Sequence, residues 1–393
     1  MDVTKAPATT IYLDHAATSL PKAPGVAEAM TAALALPSPG RGHSRGAAEA
    51  ESLLTRCREA TNRLLGVGSP DRVIFTAGGT DALNQALFGT LRPGDHAVVG
   101  VLEHTSVTRP LAALRQRGVQ VHLFDCDDDG FYRPESLAEL LRTLPRPPRL
   151  TALSHGSNAA GTVQPISALA SAVRDACDDD ALFLVDACQT AGHVPIDVAG
   201  WGVDLLATGG HKGLLGPPGI GLLGLSERAA AAMTNTRFGG TGAGGGEDMP
   251  TAMPHRFEPG TPNLPGVAGL LAAVDWIEGE GVETLRDRSE QRLGALIARL
   301  ATLPGLRILG PPDARRRCGL VTVSLPGWEP TEAAAVLDAS FGVACRAGLH
   351  CAPGAHRRFG TADSGGGVRF SVGPFTASSE IDAAADAVAA LLC

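Results

Sequence analysis

Only three of the 33 basic side chains in this 393-residue chain are lysines: Lys5, Lys22 and Lys212. Lys5 stands in the polar opening segment, Lys22 follows Pro21 in a loop, and Lys212 lies in "ATGGHKGLLGPPG", among glycines and prolines after an apolar run. Asp186 closes a second apolar run, "ALFLVD", and Gln189 follows it in "DACQTAGH". If the two runs are neighbouring parallel strands, the aspartate and the lysine face one crevice at the strand ends. Such a pair suits pyridoxal 5'-phosphate. The carboxylate would keep the pyridine nitrogen protonated, making the ring an electron sink, and the amine would condense with the aldehyde. Gln189 could reach the ring hydroxyl. The competing reading, a buried Asp–Lys ion pair, does little for stability at a glycine-rich strand end.

Other segments supply what such a cofactor needs. In "FTAGGTDALN" an apolar run gives way to Gly78, Gly79 and Thr80 at the expected start of a helix, with Thr80 read as the N-cap. Free backbone N–H groups and the helix dipole make that an anion site for a phosphate. His104 in "LEHTSV" could stack on the ring and move protons, His211 could donate to the phosphate, and Asn158 in "SHGSNAAG" could reach the ring hydroxyl or a substrate. Arg346, His350, Cys351 and His356 crowd into "RAGLHCAPGAH". There Cys351 could be a nucleophile, a metal ligand or one of eight dispersed thiols, and with Cys345 the spacing matches no common zinc pattern. Neighbouring cations or bases, His350, Arg346 and His356, could favour its thiolate.

The elements must place these residues together. From about residue 70 to 225, short apolar runs ("RVIF", "HAVVGV", "VQVHLF", "RLTALSH", "ALFLVDA", "VDLLATGG", "GIGLLGL") alternate with helical patterns. Continuous apolar strands separated by helices predict an α/β fold with a mainly parallel sheet covered on both faces. After "EPGTPNLPG" the texture changes to long helical patterns, then "LRILG", "GLVTVSLPG", "FGVACRAG" and "GVRFSV" and a last helix. The expected division is a large α/β domain over 20–264 and a smaller α+β domain from 1–19 plus 265–393. The net charge of -8 gives no reason to expect nucleic acid or an anionic membrane as partner. No apolar run approaches the roughly 20 residues that span a bilayer, and the opening residues lack a secretory signal's apolar core, so the cytosol is the expected location.

The ordered series "IYLDHAATSLPKAP", "SPGRGHSRGA", "FTAGGTDALN", "EHTSV", "SNAAGTVQPI", "VDACQTAGHVPID", "GGHKGLLGPPGIG", "FEPGTPN", "RAGLHCAP" and "VRFSVGPFTASSEID" resembles a cysteine desulfurase of the class V aminotransferase family, among the fold type I pyridoxal phosphate enzymes. The loop around Cys351 is similar to the group II, selenocysteine lyase-like branch. The resemblance implies these roles. Lys212 carries the cofactor, Asp186 pairs with its ring nitrogen and Gln189 with its ring oxygen. His104 stacks on the ring. Gly79, Thr80 and His211 hold the phosphate. Thr261 reaches the cofactor of a partner subunit, which makes the enzyme a homodimer with shared sites. Arg369 binds the substrate carboxylate, while Arg346, Asn158 and His43 line the pocket. Cys351 accepts sulfur from L-cysteine and passes it to an acceptor protein or a reductant. No metal is implied. The same resemblance admits L-selenocysteine as substrate, a selenocysteine lyase or C–S lyase, or a non-catalytic sulfur-carrier or metal-binding subunit. Three positions depart from the family pattern: Gly79 stands for a hydroxyl residue, Gly209 for a serine or threonine, and Leu349 for a histidine.

Overall fold

The computed structural model describes residues 10–39, 44–177, 180–240 and 246–392. The chain begins with β1 (Ile11–Tyr12), α1 (Val26–Ala33) and α2 (Arg45–Leu65). It continues as β2 (Val73–Thr76), α3 (Gly79–Thr90), β3 (His96–Gly100), α4 (Thr105–Gln116), β4 (Gln120–Phe124), α5 (Pro134–Thr143), β5 (Leu150–Ser154) and α6 (Ile166–Ala176). Next come β6 (Leu182–Asp186), α7 (Val198–Trp201), β7 (Leu205–Gly209), β8 (Gly221–Leu225), α8 (Glu227–Ala232), α9 (Leu264–Glu280) and α10 (Val282–Leu300). The last part holds β9 (Arg307–Leu309), β10 (Leu320–Ser324), α11 (Pro330–Phe341), β11 (Val343–Ala344), β12 (Arg346–Gly348), α12 (Pro353–Arg358), β13 (Gly367–Ser371) and α13 (Ser378–Leu391).

Seven strands form one sheet in the order β2-β8-β7-β6-β5-β3-β4. β8 runs antiparallel to both its neighbours, β2 and β7, and the other pairings are parallel. The strands β5 to β8 are buried along their whole length, as expected when both faces are covered. Their side chains alternate with period two. Phe183 and Val185 pack with α2, α6 and α9, whereas Leu182 and Leu184 pack with α3, α4 and α8. The mainly parallel α/β reading is therefore correct, with the one reversed strand that its apolar pattern could not reveal.

A four-stranded antiparallel sheet, β12-β13-β10-β9, lies against α10, α11 and α13, and β1 pairs with β11 in a two-stranded parallel sheet. "FGVACRAG" is therefore two strands. The chain leaves the β1 pairing at Ala344 and joins β13 at Arg346, with Cys345 as the crossover. The first residues thus reach the far end of the chain: Leu13 packs beside Val343 and Val372, and Asp14 bridges to Ser371. No helix among the described residues is long and apolar enough to cross a membrane.

Candidate active site

A cavity opens where β2, β5, β6 and β7 end and α3 and α4 begin. Gly79, Thr80, His104, Asn158, Asp186, Gln189, His211 and Lys212 all line it. Register explains part of this convergence: Ser154, Asp186 and Ala207 lie abreast across β5, β6 and β7. Asp186 is buried and its Oδ1 accepts the Cys188 N–H at 2.9 Å. Among the described residues no ion pair joins it to Lys212, so the ion-pair reading of the two is set aside. Lys22 serves elsewhere, donating to Thr18 Oγ1, Ser19 Oγ and the His211 carbonyl at 3.0–3.1 Å. Lys5 lies outside the described residues.

The anion cradle is built from glycine. Gly78, not Thr80, is the N-cap of α3, with φ 156° and no side chain to cap the first turn. Thr80 is the second helical residue. Asp81 reaches back to accept the Ala77 N–H at 2.8 Å, a bond that leaves the first-turn amides of the helix untouched. A Cβ on Gly79 would stand 2.4 Å from Cys188 Sγ and 3.3 Å from the Gly209 amide nitrogen. Gly79 and Gly209 are thus packed back to back beneath the cavity. The first-turn amide groups of a helix have no intrahelical partner, and here no N-cap side chain takes them. His211 Nδ1 lies 3.1 Å from Thr18 Oγ1, and burial pushes its pKa down to about 4. It can therefore offer a hydrogen bond but no positive charge at neutral pH.

His104 is the N-cap of α4, its Nδ1 accepting the Ser106 N–H at 3.0 Å, which leaves the proton on Nε2. Burial, opposed by Asp186 and reinforced by Lys212, Arg346 and Arg369, lowers its pKa to about 4. Glu103, immediately before it, is 1% exposed. Its Oε1 accepts from the Ser154 N–H (2.9 Å), Ser154 Oγ (3.3 Å) and the Tyr132 hydroxyl (3.2 Å), while Oε2 is buried without a partner. Burial raises this carboxyl to about 8, and the nearby Asp186 charge adds to the shift.

The Cys351 loop closes over this end of the sheet. Thr105 N–H donates to the Cys351 carbonyl at 2.8 Å, and Asn158 Nδ2 donates to the His350 carbonyl. His350 and Cys351 both hold left-handed backbone angles, φ 51° and 57°, each costing about 1–2 kcal/mol for a residue with a Cβ. Arg346 Nη2 lies 3.1 Å from Cys351 Sγ. His350 and His356 do not assist as cations. His350 Nδ1 meets His356 Nε2 at 3.0 Å, His356 Nδ1 meets Thr361 Oγ1 at 2.8 Å, and burial lowers the two imidazoles to about 2 and about 4. That pairing occupies the nitrogens a metal would need, and among the described residues no group of three or more His, Cys, Asp or Glu could hold one. Cys351 is exposed, whereas burial pushes Cys57, Cys126, Cys318 and Cys345 up to about 12.

Arg369 is fully buried on β13. Its Nη2 pairs with Asp14 Oδ1 and its Nη1 donates to the Asn158 carbonyl, both at 3.0 Å, while Nε has no partner. Gln189 gives one amide hydrogen bond to the Ala16 carbonyl at 3.1 Å. Thr261 does not line the cavity. It is exposed in a separate open groove with Arg58, Arg237 and Glu258. His43 lies outside the described residues. Sequence reading missed Glu103, Ser154, Cys188 and Asp14. Only adjacency in the chain to His104 and Asp186 signalled the first and third.

An amine and a carboxylate across a cavity, an uncapped helix N-terminus shaped by glycines and a neutral imidazole fit a planar, phosphorylated pyridine aldehyde. The sheet order and this cavity define an α/β protein of the fold type I architecture. The aminotransferase class-V family model matches residues 11–384, and the chain belongs to that family, as a cysteine desulfurase family protein. It is 33% identical over 378 residues to a Methanothermobacter thermautotrophicus protein described as "Probable cysteine desulfurase", covering 94% of this chain and 92% of that one. It is 30% identical over 329 residues to a cysteine desulfurase of Salmonella agona, covering 79% and 76%. The apo structure of a cysteine desulfurase from Thermococcus onnurineus superimposes with a TM-score of 0.89 at 29% identity, covering 98% of this chain and 94% of that one. The cysteine desulfurase CsdA from Escherichia coli does so with a TM-score of 0.85 at 28% identity, covering 98% and 96%.

Proposed function

We propose that the chain is a pyridoxal 5'-phosphate-dependent cysteine desulfurase that converts L-cysteine to L-alanine and carries the sulfur as a persulfide on Cys351. The observation that carries this reading is the cavity holding Lys212, Asp186 and the α3 N-terminus, with the exposed Cys351 loop tied to two of its edges. The cofactor, when bound, supplies an electron sink that labilises the substrate's α-proton and makes its sulfur electrophilic.

The chain's own groups do the rest. Lys212 would hold the cofactor and move the α-proton, Asp186 would hold a proton at the ring nitrogen, and the neutral His104 would pack against the ring. Gln189 and Asn158 serve the ring oxygen, with Asn158 also lining the substrate pocket. Gly79, Thr80 and His211 hold the phosphate. Arg369 takes the substrate carboxylate through its unpartnered Nε, and Arg346 and His43 complete the proposed set of substrate-pocket residues. The Cys351 thiolate attacks the substrate sulfur: an S–S bond forms, the Cβ–S bond breaks, and the carbon fragment takes up a proton to leave as alanine. An acceptor protein or a reductant then removes the outer sulfur.

The reading extends to a homodimer in the cytosol, with Thr261 reaching the partner's cofactor, and to a larger cofactor-binding body beside a smaller one. Incubation with L-cysteine and a reductant, with alanine and sulfide measured and L-selenocysteine run in parallel, tests the proposal. Equal alanine and sulfide from cysteine support it. Turnover of selenocysteine alone favours the lyase.

A further inference from the structure

The geometry points to Asn158 as the residue that joins the substrate-carboxylate site to the nucleophile, its side chain latching the Cys351 loop while its backbone holds Arg369. This rests on the desulfurase reading. The side-chain amide donates to the His350 carbonyl, and the backbone carbonyl accepts from Arg369 Nη1 at 3.0 Å. One residue thus touches both halves of the reaction through separate atoms, and it lines the cavity between them.

The loop needs such a latch. His350 and Cys351 stand in consecutive left-handed conformations, which residues with a Cβ leave unless the surroundings hold them. Two hydrogen bonds hold this pair by its carbonyls: the one from Asn158, and the 2.8 Å bond from Thr105 N–H. The Thr105 bond comes from the backbone at the start of α4, so side-chain replacement leaves it in place. The Asn158 bond is the side-chain half. Without it the His350 carbonyl loses its hydrogen bond while the ring stays on His356, the left-handed pair relaxes, and the Cys351 sulfur leaves the position it holds beside Arg346. Asn158 is therefore a positioning residue for the sulfur-transfer step.

The test uses cofactor-saturated holoenzyme without substrate. Iodoacetamide alkylation of Cys351 is followed by peptide mass spectrometry, with the buried Cys57 as internal control. Asn158→Ala is expected to slow Cys351 alkylation about fivefold, the worth of one lost hydrogen bond, because the already exposed thiol leaves the Arg346 cation that favours its thiolate. Asn158→Asp, which keeps the shape but cannot donate, should do the same and serves if the alanine variant folds poorly. In turnover, kcat should fall at least about tenfold. Alkylation within about twofold of wild type in both variants overturns the latch, as does a rise in KM with kcat unchanged. A wild-type protein that forms no alanine defeats the proposed function instead and leaves the alkylation comparison readable.

Discussion

Arg346 Nη2 stands 3.1 Å from the Cys351 sulfur, and of Arg346, His350 and His356 it alone is a cation, because the two histidines are buried and neutral. Sulfur transfer needs the thiolate. Arg346→Gln should slow alkylation of Cys351 at neutral pH about tenfold, the order of one charge-assisted hydrogen bond discounted for solvent exposure. The same variant should slow alanine formation to a similar degree. His356→Gln, by contrast, should leave the alkylation rate within about twofold.

Gly79 and Cys188 form a packing pair. Because a Cβ on Gly79 would meet Cys188 Sγ at 2.4 Å, Gly79→Ala should weaken cofactor retention by about tenfold or more. Adding Cys188→Ala should recover part of that loss. Cofactor absorbance after gel filtration measures both. Failure of the double variant to regain any cofactor would show that the Gly209 amide, 3.3 Å from the same point, sets the constraint instead.

Glu103 is an acid that stays protonated when folded, its pKa raised to about 8. The unfolded chain loses that proton near pH 4.5, so between about pH 4.5 and 8 the folded state binds the extra proton and stability falls as pH rises. Glu103→Gln removes this penalty and keeps an oxygen to accept from Ser154. It should be more stable than wild type at pH 8, on the order of 2 kcal/mol by urea denaturation, and near-equal at pH 4.5. Equal stability at both pH values would show that the carboxyl ionises freely.

His15, His155, His350 and His356 are buried, with pKa values lowered to about 4, 3, 2 and 4. An unfolded histidine titrates near pH 6.5. Between about pH 6.5 and 4 the unfolded chain therefore binds protons that the folded chain refuses, and stability rises with pH. These four outweigh the opposing Glu103 in that range. Denaturation midpoints should drop from pH 7 to pH 5, and His155→Phe should make the drop shallower. An unchanged slope in that variant would mean that His155 takes up its proton in the folded state.

The sheet was readable because its strands are continuous apolar runs, and so were the residues at their ends, since parallel strands carry their sites there. Lys212, Asp186, His104, Asn158 and the Gly79 turn gather in one cavity as their positions suggested. What escaped depended on tertiary partners. The N-cap lies at Gly78 rather than Thr80, and Asp81 reaches back past it to Ala77. The neutrality of His350 follows from its burial, with Arg369 and then His356 adding to it, and His356 folds onto it only because α12 turns the chain. The Asp14–Arg369 pair joins opposite ends of the sequence, where no local pattern can speak. The split of β11 from β12 at Cys345 reflects two sheets competing for one apolar run.

The central claim is that Cys351 receives the sulfur, and Cys351→Ala tests it most directly. With L-cysteine as substrate, alanine formation should fall by at least about a hundredfold while the absorbance of the bound cofactor is unchanged. Alanine formation at the wild-type rate in the Cys351→Ala protein, with cofactor bound, would contradict the account.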